Sequence, residues 1–394
     1  MSAETAAIDL LDVSLFTEGR EHEAFRALRE HDPVHFNPEP NGGRGFYAVM
    51  RHADVLAVVR DPARFSSASG TQIADVRAEG TGFPSLHNAD PPLHGKLREI
   101  GLPGFRKKRL DDIEPAVRRT VRALLDATPS GEPFDLVEAV SVKLPMTVIS
   151  DLMGFPLDMR DEIVVHANTM SATSASPAEK GAARDWLYNA FHELTAKRRI
   201  EPQDDLVTEL AQGRVDGERL TDAQLDPYFM VLTVAGNETT RNLISGGYEQ
   251  LCAEPANFER LRADASLVPT AVEEMVRWVS PIVQMRRTAT EDGEIAGTAI
   301  AKGDKVVAYF ASANRDEREF PDSDRFDIAR RPNFHVGFGQ GPHFCIGAHL
   351  AKLEARVFFE ELVARYTTFR VHGRPERLAS FWFAGTTKLI AEWS

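Results

Sequence analysis

Hydrophobic positions recur at helical spacing through residues 21–32 and 51–61, so both stretches read as short amphipathic helices. Between them, Val34–Phe36 and Phe46–Val49 are two β-type runs separated by Asn41, Gly42 and Gly43, which predicts a hairpin. Residues 66–89 are rich in Ser, Gly, Thr and Asn and have weak periodicity. They read as a long surface loop, a kind of segment that often carries function. From about 91 to 254 the pattern is mainly helical, interrupted at Pro129–Gly131, Gly154–Pro156, Ser176–Pro177 and Gln203–Asp205. A Pro-free stretch from Tyr228 to Glu254 is apolar on several sides around Phe229–Val234, so it should pass through a core rather than lie on one. Beyond residue 286, Val306–Phe310 and Lys388–Ala391 read as strands, and helix returns at 345–366. No repeat, low-complexity segment or long linker divides the chain. The expectation is one large domain spanning 1–394, mainly α with a minor β part (α+β).

The composition narrows the function classes. Hydrophobic residues make up 43% of the chain and charged residues 27%, too apolar for general disorder. With 59 acidic against 46 basic residues the net charge is −13, the wrong sign for a nucleic-acid binder. No stretch approaches the roughly 18 apolar residues of a membrane span, and the first residues lack a basic or apolar leader. Two cysteines, Cys252 and Cys345, suit a reducing compartment, so the expected location is the cytoplasm.

Candidate chemistry concentrates in His335–His349. Gly337, Gly339, Gly341 and Pro342 exclude a regular element there, and Cys345 opens a long helical run. A thiolate at a helix N-terminus is favoured by the dipole and by free backbone N–H groups, as a thiolate metal ligand requires. Three other readings compete. A lone Cys is commonly a buried core thiol. The glycines run G-x-G-x-G, which departs from the G-x-G-x-x-G of a dinucleotide loop. A nucleophilic Cys needs a His that is normally distant in sequence, so His343 and His349 beside it do not support that role specifically.

Phe338–Gly347, F-G-Q-G-P-H-F-C-I-G, resembles the haem-binding signature F-x-x-G-x-[RH]-x-C-x-G of the cytochrome P450 superfamily. The resemblance implies haem b as cofactor, held between the long core helix and the cysteine loop. It makes Cys345 the axial thiolate and metal ligand, whose electron push favours O–O cleavage. It places Phe338 and Gly347 against the cofactor and pairs His343 with a haem propionate. Three further motifs fit. Glu274–Arg277 matches E-x-x-R about 70 residues before Cys345, a structural ion pair locking its helix to the segment containing Asn314, Arg315, Asp316 and Phe326. Ala235–Thr240, A-G-N-E-T-T, is similar to the oxygen-activation motif, in which the helix opens and Glu238 and Thr239 relay protons, with Ala235 and Gly236 against the haem. Asp90–Arg98 resembles D-P-P-x-H-x-x-x-R, directing His94 and Arg98 to the propionates. Arg287 matches another propionate-binding Arg, and Arg286 beside it leaves the register open by one.

The resemblance spans nearly the whole chain and is closest to the actinobacterial branch that oxidises sterols and branched lipids. It implies an O2-dependent monooxygenase that inserts oxygen into an unactivated C–H bond, with electrons from a separate ferredoxin and an NAD(P)H-driven reductase. The basic run Arg106–Arg109 could orient such an acidic partner. The alternative is a haem-thiolate protein that binds ligands or senses gas without turnover, which would need no proton relay. The expected substrate wall, Ile73, Val76, Phe83, Val231, Val234, Ile282, Val283 and Phe383, is apolar and suits a terpenoid, steroid or other lipid-like molecule.

Overall fold

Strand Lys305–Tyr309 is buried at all five positions because it separates two apolar clusters. Val306 and Ala308 point to one face with Val55, Val58, Val59 and Phe310, while Val307 and Tyr309 point to the other with Phe25, Leu28 and Ile73. This two-sided burial accounts for the continuous apolar run of the sequence. The computed structural model describes residues 5–40, 42–74, 82–171 and 175–394. In it, β1 (Val34–Asn37), β2 (Phe46–Val49), β3 (Phe65–Ser66), β4 (Gln284–Ala289) and β5 (Lys305–Tyr309) form one sheet in the order β1-β2-β5-β4-β3. The expected hairpin is present, with Val34 opposite Val49 and Asn37 opposite Phe46.

Helices make up most of the rest, so the fold is mainly α with a minor β part. Four of them position the site: α1 (Leu93–Gly101), α2 (Asp222–Ala253), α3 (Val268–Val279) and α4 (Ala348–Arg365). The core helix α2 starts earlier than its Pro-free stretch: Thr221 and Gln224 form a capping box at its start, and the helix carries Pro227 in its second turn at the loss of one i→i−4 hydrogen bond. It contributes Tyr228, Phe229, Leu232, Leu243, Ile244 and Tyr248 to the main cluster, where α4 adds Leu353, Phe358, Phe359 and Leu362. The helix runs unbroken as α through Ala235–Thr240, where the sequence motif leads one to expect an opened turn. Among the described residues, no helix is long and apolar enough to cross a membrane.

The segment between β5 and α4 is irregular but firmly tied. Glu274 and Arg277 form a fully buried bidentate pair, Nε to Oε2 and Nη2 to Oε1, each at 2.7 Å. Arg277 also donates to the carbonyls of Asn314 (2.8 Å), Ser323 (2.9 Å) and Arg325 (3.2 Å). Glu274 accepts from the Asp327 N–H at 2.9 Å, Arg330 Nε at 3.1 Å and Asn333 Nδ2 at 3.2 Å. Both charges are thus satisfied on every side, the condition under which a buried pair is tolerable. Asn314 Oδ1 accepts the Val336 N–H at 2.7 Å, two residues before Phe338. The Arg315 guanidinium stacks over Trp278 at 3.4 Å, and Trp278 meets Phe326 edge-on.

Candidate active site

The cysteine loop is shaped by what its glycines touch. At Gly337 a Cβ would lie 2.6 Å from Val276 of α3. Gly341, at φ +72°, has the carbonyl of Val59 2.7 Å from where a Cβ would stand, so both its conformation and its space demand glycine. The loop closes with the Cys345 N–H donating to the Phe338 carbonyl at 2.9 Å. Helix α4 begins at Ala348 rather than at the cysteine, so Cys345 stands three residues ahead of the helix. Its thiol is enclosed by protein, and the surface it exposes is that of a deep cavity. Burial raises its pKa, while the backbone N–H groups of Gly347 and Ala348 and the charge of Arg98 pull it down.

The cavity lies between this loop and α2. His94, Arg98, Ala235, Gly236, Thr239, Arg287, Phe338, His343, Cys345 and Gly347 all line it. The lining residues of α2 follow from helix geometry. At about 100° per residue, Val231, Ala235, Gly236, Thr239, Thr240 and Leu243 fall on one half of the helix. Gly236 faces open space, since a Cβ there would meet nothing within 4 Å. The Thr239 hydroxyl donates to the Ala235 carbonyl at 2.9 Å. Glu238 lies just off that half and does not line the cavity. It is 4% exposed, paired with Arg241 and within 3.5 Å of Asn242 Nδ2. Burial raises its pKa, and Arg241 opposes the rise.

Strand alternation decides the arginine register. Arg287 projects into the cavity with Met285, whereas Arg286 points to the opposite face and donates to the Ile73 carbonyl at 3.2 Å. The same alternation removes Val283 from the expected wall: it packs with Ile73 in the cluster on the far side of the sheet. Val231 and Ile282 line the cavity as expected. Val234 is half-buried on the side of α2 turned from it. Phe83 is half-buried against the main helical cluster, and Phe383 bridges Ile282 backbone to backbone while its ring packs against Trp382. Val76 lies outside the described residues. Leu86, Leu232 and Met285 also belong to the apolar wall; they fall in the 66–89 loop, on the core helix ahead of Ala235 and in the 282–285 stretch, where the family resemblance puts substrate contacts. His87 is a further cavity residue that no motif marks, and Arg241 could have been found from its i,i+3 spacing to Glu238.

One edge of the cavity collects basic groups that no carboxylate bonds among the described residues. Arg98 has no hydrogen bond or ion pair from its side chain among the described residues, and Arg287 donates only to the Arg286 carbonyl at 2.8 Å. The rings of His94 and His343 lie 4.0 Å apart. Burial and the nearby Arg287 lower the pKa of His343 to about 3, and burial with Arg98 lowers that of His94. Burial brings Arg287 itself down to about 10, with Asp90 opposing. Buried cations in this state call for anionic partners. A flat group with two carboxylates on one edge and a metal above a thiol fits this donor set: Arg98, Arg287, His94 and His343 would hold the carboxylates and Cys345 the metal.

Residues 178–384 match the family described as cytochrome P450. The chain is 38% identical to linalool 8-monooxygenase of Pseudomonas putida over 97% of both chains. It is 39% identical to a methyl-branched lipid omega-hydroxylase of Mycobacterium tuberculosis, over 94% of this chain and 90% of that one. Among solved structures it superposes on a Mycobacterium marinum cytochrome P450 in complex with pseudoionone, with TM-score 0.91, 33% identity and 98% of each chain covered. A Bacillus megaterium cytochrome P450 in complex with testosterone follows at TM-score 0.85 and 31% identity, over 94% of this chain and 98% of that one.

Proposed function

The chain belongs to the cytochrome P450 family, whose cofactor is haem, and on that footing we propose that it hydroxylates an apolar terpenoid-, lipid- or steroid-like molecule. The reaction takes O2, two protons and two electrons, the electrons coming from NAD(P)H through a separate ferredoxin and reductase; one oxygen atom enters a C–H bond and the other leaves as water. The observation that carries this reading is the joint facing of Cys345 and Thr239 across one cavity edged by basic groups that no carboxylate bonds among the described residues.

When bound, haem supplies the oxygen-activating iron. In this reading Cys345 holds the metal, with the Gly347 and Ala348 N–H groups stabilising the sulfur's negative charge. Arg98, Arg287, His94 and His343 fix the cofactor's carboxylate edge, and their own charge is compensated in doing so. In the proposed relay the Thr239 hydroxyl, which bonds the Ala235 carbonyl, passes a proton into the cavity, and Glu238 supplies it from behind the helix. Leu86, Val231, Leu232, Ile282 and Met285 exclude water and seat a hydrophobic substrate. The named activities of the similar proteins support this substrate class.

For electron delivery, Lys107 of the basic run is engaged by Asp111 and Arg109 by Asp204. Arg106 and Lys108 are exposed and free of partners among the described residues, so they are the charges that would steer an acidic ferredoxin. The test is spectroscopic. The reduced carbon monoxide adduct should show the red-shifted Soret band of thiolate ligation, and Cys345→Ala should abolish it. Retention of that band by the variant would mean another ligand.

A further inference from the structure

Of the polar groups that line the cavity, one on the side of Arg287 and His343 has no role in the reading above. His87 lies ahead of α1, lines the cavity and is half-buried. Its Nδ1 meets the Ser85 hydroxyl at 3.1 Å, while its Nε2 has no partner among the described residues. Burial and the charge of Arg287 lower its pKa to about 4, so the ring is neutral near pH 7. The Ser85 hydroxyl can donate or accept, so Nε2 is free to do the opposite toward a ligand. The cofactor's carboxylate edge already has four basic partners, two of them permanently charged, and a neutral imidazole adds no charge to that edge.

We propose that His87 is a specificity-determining residue whose Nε2 hydrogen-bonds an oxygen atom of the substrate, so that the enzyme selects hydroxyl- or carbonyl-bearing molecules over hydrocarbons of the same shape. The proposal rests on the reading of the cavity as the site of an apolar-substrate monooxygenase. A hydrocarbon leaves this nitrogen buried and unpaired, whereas an alcohol or ketone satisfies it and is held in one orientation. Sites built to hydrogen-bond a ligand reject analogues that lack the group by this means.

The experiment is an optical spin-state titration of the ferric, haem-loaded protein with linalool and with myrcene, a hydrocarbon of similar shape. The native protein should bind linalool more tightly. His87→Leu should weaken linalool roughly three- to tenfold, the size of one neutral hydrogen bond, and leave myrcene unchanged or tighter. His87→Gln should recover part of the loss. Equal changes for both probes, or none, would overturn the assignment. Haem content is measured in every preparation: loss of haem from both variants would also overturn it, because His87 then serves the cofactor. If the native protein responds to neither probe, the terpenoid-scale substrate reading fails and the proposal fails with it.

Discussion

Glu238 and Thr239 are neighbours on one helix yet face different surroundings: the threonine hydroxyl lines the cavity, and the carboxyl is buried behind it against Arg241. A carboxyl in that place stores a proton more readily than a solvated one, since burial raises its pKa. In the proposed relay the two residues would divide the work, one holding protons and the other placing them. Thr239→Ala should keep haem, substrate binding and NAD(P)H consumption but release most reducing equivalents as hydrogen peroxide, lowering product by about tenfold or more. Glu238→Gln should instead slow turnover as a whole by about a hundredfold without that diversion. Product, peroxide and NAD(P)H measured together separate the two. Full coupling in Thr239→Ala would pass the role to Thr240, which also lines the cavity.

Removing one partner of the Glu274–Arg277 pair strands the other charge where no water reaches it. Glu274→Ala should cost about 3–5 kcal/mol in urea unfolding of the haem-loaded protein, with loss of haem from the survivors. Arg277→Lys keeps the charge but not the fork that reaches Glu274 and three carbonyls, so it should fall nearer to Glu274→Ala than to the native protein. Native-like urea midpoints in both variants would contradict the role given to this pair.

The histidine cluster makes stability depend on pH. In the folded chain His343 has a pKa of about 3 and His87 of about 4, and that of His94 is lowered too, against 6.5 when unfolded. Below about pH 6.5 the unfolded chain takes up protons that the folded chain refuses, so folded stability declines as the pH drops from 6.5 toward 4. Carboxylates placed against His94 and His343 would raise their pKa values and shrink the slope. Apoprotein urea midpoints should therefore fall more steeply between pH 7.5 and 5 than those of the haem-loaded protein; parallel curves would count against cofactor carboxylates at this cluster.

Neutralising Arg106 and Lys108 together should slow reduction by ferredoxin about tenfold at low salt and flatten its salt dependence, with substrate affinity unchanged. Lys107 and Arg109, already paired, should matter less. Stopped-flow reduction across an ionic-strength series measures this, and unaltered kinetics at low salt would remove the patch from the account.

Cys345, the E-x-x-R pair, His94 with Arg98, and Thr239 were legible through the motifs that carry the resemblance to the cytochrome P450 family; spacing alone marks none of them. Glu238 was readable as a residue, but its direction was not, since only helix geometry shows it just off the cavity-facing half. The substrate wall was the least legible part. Ile282 and Val283 are equally apolar in sequence, and only the pleat of the chain sends one to the cavity and the other to the far cluster. His87 belongs to a segment without periodicity, so nothing in the sequence distinguishes it from a loop histidine. Of the partners of the basic run, Asp111 stands one helical turn from Lys107 and is readable from spacing, whereas Asp204 lies 95 residues away from Arg109 and is not.

Arg277 takes hold of the segment before the cysteine loop mainly through main-chain oxygens, those of Asn314, Ser323 and Arg325. Every amino acid carries that oxygen, so the grip reads length and leaves side-chain identity largely alone. Across positions 317–325, apart from Glu317 and Asp324, which pair with the buried Arg29 and Arg315, exchanges of one exposed residue for another should therefore pass with little effect on haem loading. A single insertion or deletion there would carry a carbonyl out of reach of the guanidinium and shift the register of everything that follows, up to the sulfur itself. Over this stretch, evolutionary drift would be written in substitutions and hardly ever in gaps, and a library that varies loop composition at constant length could redesign the surface without disturbing the metal ligand.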